Sequence, residues 1–88
     1  MNGWIDFLNI IKTEISTIKE KSIEDLEVTE DMRLDYSGLG LDSLQLMTLL
    51  VRLEVKLEFE MDDTDLSLIK FVYVRDIIQM LYEKRNMG

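Results

Sequence analysis

One serine stands where its hydroxyl could carry a covalent group. Ser43 lies in the stretch GLGLDSL, residues 38–44, where a glycine-containing loop meets the start of an amphipathic helix. In the first turn of a helix the backbone N–H groups lack acceptors within the helix, and the helix dipole is positive. A phosphate ester on Ser43 would therefore occupy a favourable place for an anion. An ordinary helix cap uses the same residue types, because Asp and Ser are favoured at N-caps.

Other chemistry is restricted by what the chain lacks. It contains neither cysteine nor histidine, so disulfides, soft-metal sites and the usual nucleophile–base pairs are excluded. The acidic cluster Asp62, Asp63 and Asp65 resembles a calcium loop only in composition, since no glycine stands at the sixth position and no glutamate at the twelfth. We therefore predict no metal site and no catalytic residues, and we interpret the cluster as a solvated helix N-terminus.

The net charge narrows the choice of partners. Eighteen acidic residues against ten basic ones give a formal charge of −8. Such a surface repels nucleic acids and anionic membranes and attracts basic patches, although the charge can equally serve solubility alone. Neither a signal-peptide pattern nor an apolar run of membrane-spanning length is present. We expect a soluble, cytoplasmic, monomeric protein with a single domain over residues 1–88.

Hydrophobic periodicity predicts an all-α fold, which the absence of proline favours further. The expected helices cover residues 3–20, 43–58, 63–69 (a short one) and 72–84. In the first helix the apolar face consists of Trp4, Leu8, Ile11, Ile15 and Ile18. In the last it consists of Val74, Ile77, Ile78 and Leu81. The result is a four-helix bundle with three main helices and one short helix.

Residues 21–42 are too long for an ordinary connection and too apolar for a free linker. We expect an ordered loop that crosses the bundle and is held by its apolar side chains, namely Ile23, Leu26, Val28, Met32, Leu34 and Leu39. Gly38 and Gly40 are expected to make the end of this loop flexible.

The helix that follows Ser43 has a clear start and two distinct faces. Asp42 can cap it, and Gln45 stands where the partner of a capping box belongs. The predicted inward stripe contains Leu46, Leu50, Leu53 and Leu57, widened by Met47 and Val51. The predicted polar face contains Gln45, Thr48, Arg52 and Lys56.

Several smaller features have two interpretations. Asn2 is a possible N-cap of the first helix, whereas residues 70–74 offer no cap for the last one. Trp4 and Phe7 could form a partner-facing patch, but core packing is the simpler interpretation. The same holds for Met47, Met61 and Met80, which could line an adaptable cavity or simply fill the core.

The stretch from Leu39 to Leu44 resembles the attachment motif of acyl carrier proteins, and the order of helices and loop over nearly the whole chain is similar to theirs. The resemblance implies that a phosphopantetheinyl transferase esterifies Ser43 with 4′-phosphopantetheine from coenzyme A. The thiol of that arm then holds acyl groups as thioesters, which would explain a carrier without cysteine. It further implies an acyl-loading enzyme or ligase and a ketosynthase or other acyl-processing enzymes as partners.

Two departures bear on the pathway. Housekeeping fatty-acid carriers usually present acidic residues on the exposed face of the second helix, whereas here that face holds Thr48, Arg52 and Lys56. Aminoacyl carriers often have histidine where Asp42 stands. We therefore expect a discrete carrier of a dedicated secondary-metabolite pathway, polyketide or hybrid. The expected partner face is Asp42, Leu44, Gln45, Thr48 and Arg52.

The alternatives are a housekeeping fatty-acid carrier, an aryl or aminoacyl (peptidyl) carrier, and an unmodified helical adaptor. An enzyme is the poorest of the hypotheses, because no pair of carboxylates in a cleft is evident.

Overall fold

The computed structural model describes residues 3–67 and 70–87. Within these ranges the regular secondary structure is helical. The helices are α1 (Trp4–Lys19), α2 (Ser43–Leu57), the short α3 (Asp63–Leu66) and α4 (Val74–Met87), and a 3₁₀ turn (Ile23–Asp25) lies in the loop between α1 and α2. This confirms the predicted all-α bundle of three main helices and one short one. No helix in the described ranges is long and apolar enough to cross a membrane.

The core forms where α1 packs against α2 and α4. The predicted inward residues of α4 are all buried, and so are Phe7, Ile11 and Ile15 of α1. Trp4 packs at the edge of this core, where its ring centroid lies 6.2 Å from that of Tyr82. Core packing is therefore the correct interpretation of both aromatic residues of α1.

The inward face of α2 differs from the prediction by one residue. Val51 is 43% exposed, whereas Leu49 is fully buried beside Leu46, Leu50 and Leu53. The physical reason is the helical period. Leu49 lies about 40° from Leu53, at the edge of the buried arc, whereas Val51 falls nearly opposite that arc. The prediction that Val51 widens the inward stripe was wrong, and this places an additional apolar side chain on the outer surface.

The long loop is held by its side chains, as predicted, and also by its backbone. Val28, Leu34 and Leu39 are buried, whereas Ile23 is 45% exposed. The backbone of the loop forms a short antiparallel bridge with the segment before α4, in which the Leu34 N–H donates to the Val72 carbonyl over 2.9 Å. The loop is thereby tied to the start of α4, which fixes the approach of the chain to Ser43.

The helix starts show caps that the sequence pattern did not reveal. At α4 the Asp76 carboxylate accepts the N–H groups of Tyr73 and Val72 over 2.8 and 3.0 Å, so the cap comes from inside the helix, which begins at Val74. At α1 the Asp6 carboxylate accepts the Gly3 N–H over 3.0 Å. The predicted cap Asn2 lies outside the described residues.

The acidic cluster at α3 is not simply solvated, because Asp65 is only 2% exposed. Its carboxylate pairs with the ammonium groups of Lys70 and of Lys84. Burial by itself raises the pKa of Asp65, but hydrogen bonds from the two lysines outweigh it and hold that pKa well below its ordinary value. The helix begins at Asp63, as predicted. The sequence pattern also predicts that this helix buries Leu66 and Ile69, and both side chains lie outside the described part of the chain.

Candidate functional site

Ser43 is the first residue of α2, and its side chain is exposed. The capping work is done by its neighbours: Asp42 Oδ1 accepts the Gln45 N–H over 2.7 Å, and Gln45 Oε1 accepts the Asp42 N–H over 3.2 Å. This confirms the predicted capping box. Within the described residues no hydrogen bond engages the Ser43 hydroxyl, which is therefore available for chemistry without loss of the cap.

The two glycines before α2 allow a loop conformation that other residues would not adopt without strain. Gly40 has φ of +73°, in the left-handed region, and a Cβ at Gly38 would lie 2.1 Å from the Arg33 carbonyl oxygen. Lys19, at the end of α1, donates from Nζ to the Gly40 carbonyl over 3.0 Å. Ser43 is thus presented by a loop that its own hydrogen bonds and α1 hold in place.

Asp35 organises the same loop from the other side. Its carboxylate accepts two hydrogen bonds from the Arg33 guanidinium, of 3.1 and 2.7 Å, and one from the Ser37 N–H. The hydrogen bond from Arg33 is the main reason why the pKa of Asp35 lies below its ordinary value. The guanidinium also lies over the Tyr73 ring, 5.6 Å from its centroid, so the loop and the start of α4 share one polar network.

A groove of about 370 Å³ opens beside Ser43. Its walls combine apolar side chains from the loop, α2 and the segment before α4 with a polar rim; the lining residues are Arg33, Leu34, Asp35, Leu41, Asp42, Ser43, Leu46, Ser67, Phe71 and Val72. Met47, Met61 and Met80 are not among them. Met80 is buried in the core and Met61 packs against it, which agrees with the core-filling interpretation of those two residues.

The predicted partner face divides into two parts. Asp42, Leu44, Thr48 and Arg52 are exposed and Gln45 is half-buried. Asp42, Leu44 and Gln45 lie at the start of α2, whereas Thr48 and Arg52 lie further along it. Arg52, however, is turned to the side of the helix that meets α1, as described next.

Glu14 of α1 holds both cations of the predicted polar face. Its carboxylate is 8% exposed and lies 2.8 Å from Arg52 Nε and 3.6 Å from Lys56 Nζ. The single carboxylate of Glu14 therefore offsets one of these two positive charges within the molecule. A signal for this existed in the sequence, because Glu14 stands on the apolar face of α1, between Ile11 and Ile15, where an acidic residue needs a partner.

A comparison with known protein families agrees with this geometry. The family of the phosphopantetheine attachment site matches residues 9–81. The chain belongs to this family. Its members bind 4′-phosphopantetheine covalently and act as carriers that meet a phosphopantetheinyl transferase and acyl-processing enzymes. The comparison with curated proteins gave no match.

The residues around the start of α2 fit such a group. An exposed hydroxyl without a structural role can be esterified, and the phosphodiester would lie at the positive end of the α2 dipole, near the unpaired N–H groups of the first turn. The apolar walls of the adjoining groove, among them Leu46 and Phe71, suit the alkyl part of an arm. No cluster of metal-binding side chains occurs in the described part of the chain.

Proposed function

We propose that this carrier bears its 4′-phosphopantetheine on the hydroxyl of Ser43 and holds acyl intermediates on that arm. The observation that carries the proposal is that Ser43, at the first position of α2, is exposed and takes no part in the helix cap. Other serines differ: Ser16 donates its hydroxyl to the Lys21 carbonyl, and Ser22 caps the 3₁₀ turn. When bound, the arm supplies a terminal thiol for thioester chemistry.

The chain's own part in this function is to present the serine. The capping box keeps the α2 start intact, and the Lys19–Gly40 hydrogen bond fixes the loop before it. Neither interaction uses the Ser43 hydroxyl, so esterification leaves the fold unchanged. In this proposal the chain performs no catalysis itself and delivers its cargo to enzymes.

Intact mass spectrometry after incubation with coenzyme A and a broad-specificity phosphopantetheinyl transferase tests the proposal. The wild-type protein is expected to gain one arm. Ser43→Ala should gain none and should melt at the wild-type temperature, because Asp42 still caps α2. Ser37→Ala, an exposed serine in the preceding loop, is the matched control and should be modified fully. An arm on Ser43→Ala would assign the attachment to another residue.

We further propose that the carrier serves a dedicated secondary-metabolite pathway, polyketide or hybrid. In support, the outward line of α2, which contains Leu44, Thr48, Val51 and Val55, has no acidic residue. A fatty-acid enzyme whose arginines bind a row of carboxylates would meet no carboxylate on this line of α2. Housekeeping fatty-acid synthesis and aryl or aminoacyl transfer are the alternatives.

The rate of acyl transfer to a fatty-acid ketosynthase distinguishes these pathways. The wild-type holo protein should be a poor substrate, and Thr48→Glu with Val55→Glu should improve it, because both positions face solvent. Arg52→Glu is unsuitable, since it would place a carboxylate against Glu14. Ile5→Glu, on the exposed surface of α1, adds charge elsewhere and should change nothing. Efficient wild-type turnover would favour ordinary fatty-acid synthesis.

A further inference from the structure

The peptide unit between Gly40 and Leu41 is held by both of its polar groups. The Gly40 carbonyl accepts a hydrogen bond from Lys19 Nζ over 3.0 Å, and the Leu41 N–H donates to the Leu34 carbonyl over 2.9 Å. In a trans peptide the carbonyl and the N–H point in opposite directions. Lys19 and Leu34 therefore hold one peptide plane from its two sides, just before Ser43.

This plane depends on hydrogen bonds because a glycine precedes it. Gly40 has φ of +73°, and glycine adopts positive and negative φ about equally readily. Leu39 and Leu41 are 9% and 5% exposed, so packing fixes the chain on either side of Gly40. A peptide plane next to a glycine can nevertheless turn without moving the side chains that flank it. The orientation of this plane is thus set by its two hydrogen-bond partners.

Lys19 acts from the end of α1, which is itself held in place. It stands in the last turn of that helix, where the Lys21 N–H donates to the Ser16 carbonyl over 3.0 Å and the Ser16 hydroxyl donates to the Lys21 carbonyl. The chain contains eighteen acidic residues, yet the half-buried Lys19 donates to an uncharged backbone carbonyl. This use of a cation indicates that its partner is the loop before α2.

The held plane leads directly into the cap of α2. The Asp42 N–H donates to Gln45 Oε1 over 3.2 Å, as one half of the capping box. A turned plane would change the direction in which the chain enters Asp42 and would weaken that bond. Ser43, the first residue of the helix, would then present its hydroxyl in several orientations instead of one. Group transfer is sensitive to such changes, since the reacting atoms must be aligned about 3–3.5 Å apart.

We propose that Lys19 is a positioning residue for the loading of the arm, because it holds the Gly40 carbonyl and thereby the orientation of the Ser43 hydroxyl. The inference rests on the proposed function, which takes Ser43 as the acceptor. In the transfer step Ser43 Oγ bonds to the phosphorus that carries pantetheine. The bond from that phosphorus to the bridging oxygen of coenzyme A breaks, adenosine 3′,5′-bisphosphate leaves, and the hydroxyl proton goes to a base of the transferase. Lys19 takes no part in these bond changes.

The first test compares arm transfer from coenzyme A to the wild type and to Lys19→Met. Methionine keeps most of the apolar part of lysine but cannot donate a hydrogen bond. We expect kcat to fall about fivefold and KM to change by less than about twofold, because the docking surface is intact and only the orientation of the hydroxyl is lost. The assay is run at about 10 °C, near the usual temperature of maximum stability, and melting curves verify that each variant is folded there.

Two variants serve as matched controls. Lys19→Arg can still donate to the Gly40 carbonyl and should recover at least about half of the lost rate. Lys21→Met makes the same change of charge two residues further on, at an exposed side chain, and should leave kcat and KM unchanged.

Amide hydrogen exchange in the protein without the arm reports the peptide plane itself. The Leu41 N–H is hydrogen-bonded in the wild type, so it should be protected, and in Lys19→Met it should exchange about tenfold faster. The N–H of Leu50, which is fully buried in α2, should keep its wild-type rate. A general loss of stability would accelerate both amides, whereas a turned plane accelerates only the first.

Each outcome supports or overturns the positioning role. An unchanged kcat for Lys19→Met, with an arm on the wild type, overturns it and leaves Ser43 as the site. A raised KM at constant kcat also overturns it, because Lys19 would then contact the transferase directly. A lower kcat that comes with faster exchange at both amides, or at neither, assigns the loss to stability or to charge instead. A wild-type protein that accepts no arm overturns the proposed function, and this inference with it.

Discussion

The buried carboxylate of Asp65 should make a measurable part of the stability dependent on pH. Asp65 is 2% exposed and pairs with Lys70 beside α3 and with Lys84 on α4. Asp65→Asn keeps the shape, but it removes the negative charge and places an amide donor where one of the two ammonium groups was accepted. Breaking a buried ion pair costs about 3–5 kcal/mol, and we expect about 3 kcal/mol because both lysines can turn towards solvent. At about 2.1 cal/mol/K per residue, the melting temperature of a chain this long would fall by about 16 °C.

The pH dependence follows from the lowered pKa of Asp65. A carboxyl group whose pKa is lower in the folded state stabilises the fold fully above its unfolded pKa of about 3.9, and this contribution is lost as the pH falls towards the folded pKa. The stability difference between wild type and Asp65→Asn should therefore shrink between pH 6 and pH 3. The expected decrease is about 1 kcal/mol, at about 1.4 kcal/mol per pH unit below the unfolded pKa.

Chemical denaturation at both pH values measures this difference. Asp63→Asn, on the exposed side of the same short helix, is the control and should change stability by less than about 0.5 kcal/mol. If Asp65→Asn costs no more than Asp63→Asn, the buried pair does not stabilise the fold. If the cost is large but equal at pH 6 and pH 3, the lost hydrogen-bond acceptor rather than the lost charge explains it.

Two further substitutions test the packing and the caps. Leu50→Ala should lower the free energy of unfolding by about 2–5 kcal/mol, measured by thermal melts, because Leu50 is fully buried. Val55→Ala, on the opposite face of α2, should leave the stability almost unchanged. Equal effects of the two substitutions would mean that the helix faces are misassigned. Asp76→Ala should cost about 1 kcal/mol by removing the acceptor for two N–H groups at the start of α4, and an unchanged denaturation midpoint would contradict that role.

The sequence predicted the features that depend on residue type and local spacing. The helices of the bundle and the capping box of Asp42 and Gln45 follow from hydrophobic period and cap chemistry, and the structure contains both. The chemical role of Ser43 came from the resemblance to acyl carrier proteins, since its residue types alone also describe an ordinary cap. The family comparison supports the carrier assignment, and the attachment to Ser43 remains a prediction.

The features that were missed depend on contacts between distant residues. Glu14 and Arg52 are 38 positions apart, so no local pattern pairs them, and the sequence indicates only that Arg52 lies on the polar face of α2. Asp65 belongs to a cluster that suits a solvated helix start, and only the fold brings Lys84 to it. The exposure of Val51 shows a different limit of sequence patterns. The width of an apolar stripe can be assigned only when the residues on both of its sides are known to be buried or exposed.

The negative charge and the exposed apolar side chains of α2, Leu44, Val51 and Val55, are expected to act at different stages of association. Exposed acidic residues occur before α2, at Glu24, Asp25, Glu27 and Asp31, and after it, at Glu58, Glu60, Asp62 and Asp63. At physiological salt these charges act over about 8 Å, so they influence the encounter with a basic partner and its rate. Contact on these apolar side chains begins only when the two surfaces touch, so it is expected to influence mainly the rate of dissociation. A carrier built in this way attracts several partners by the same charge and discriminates among them by the shape and polarity of the surface next to Ser43.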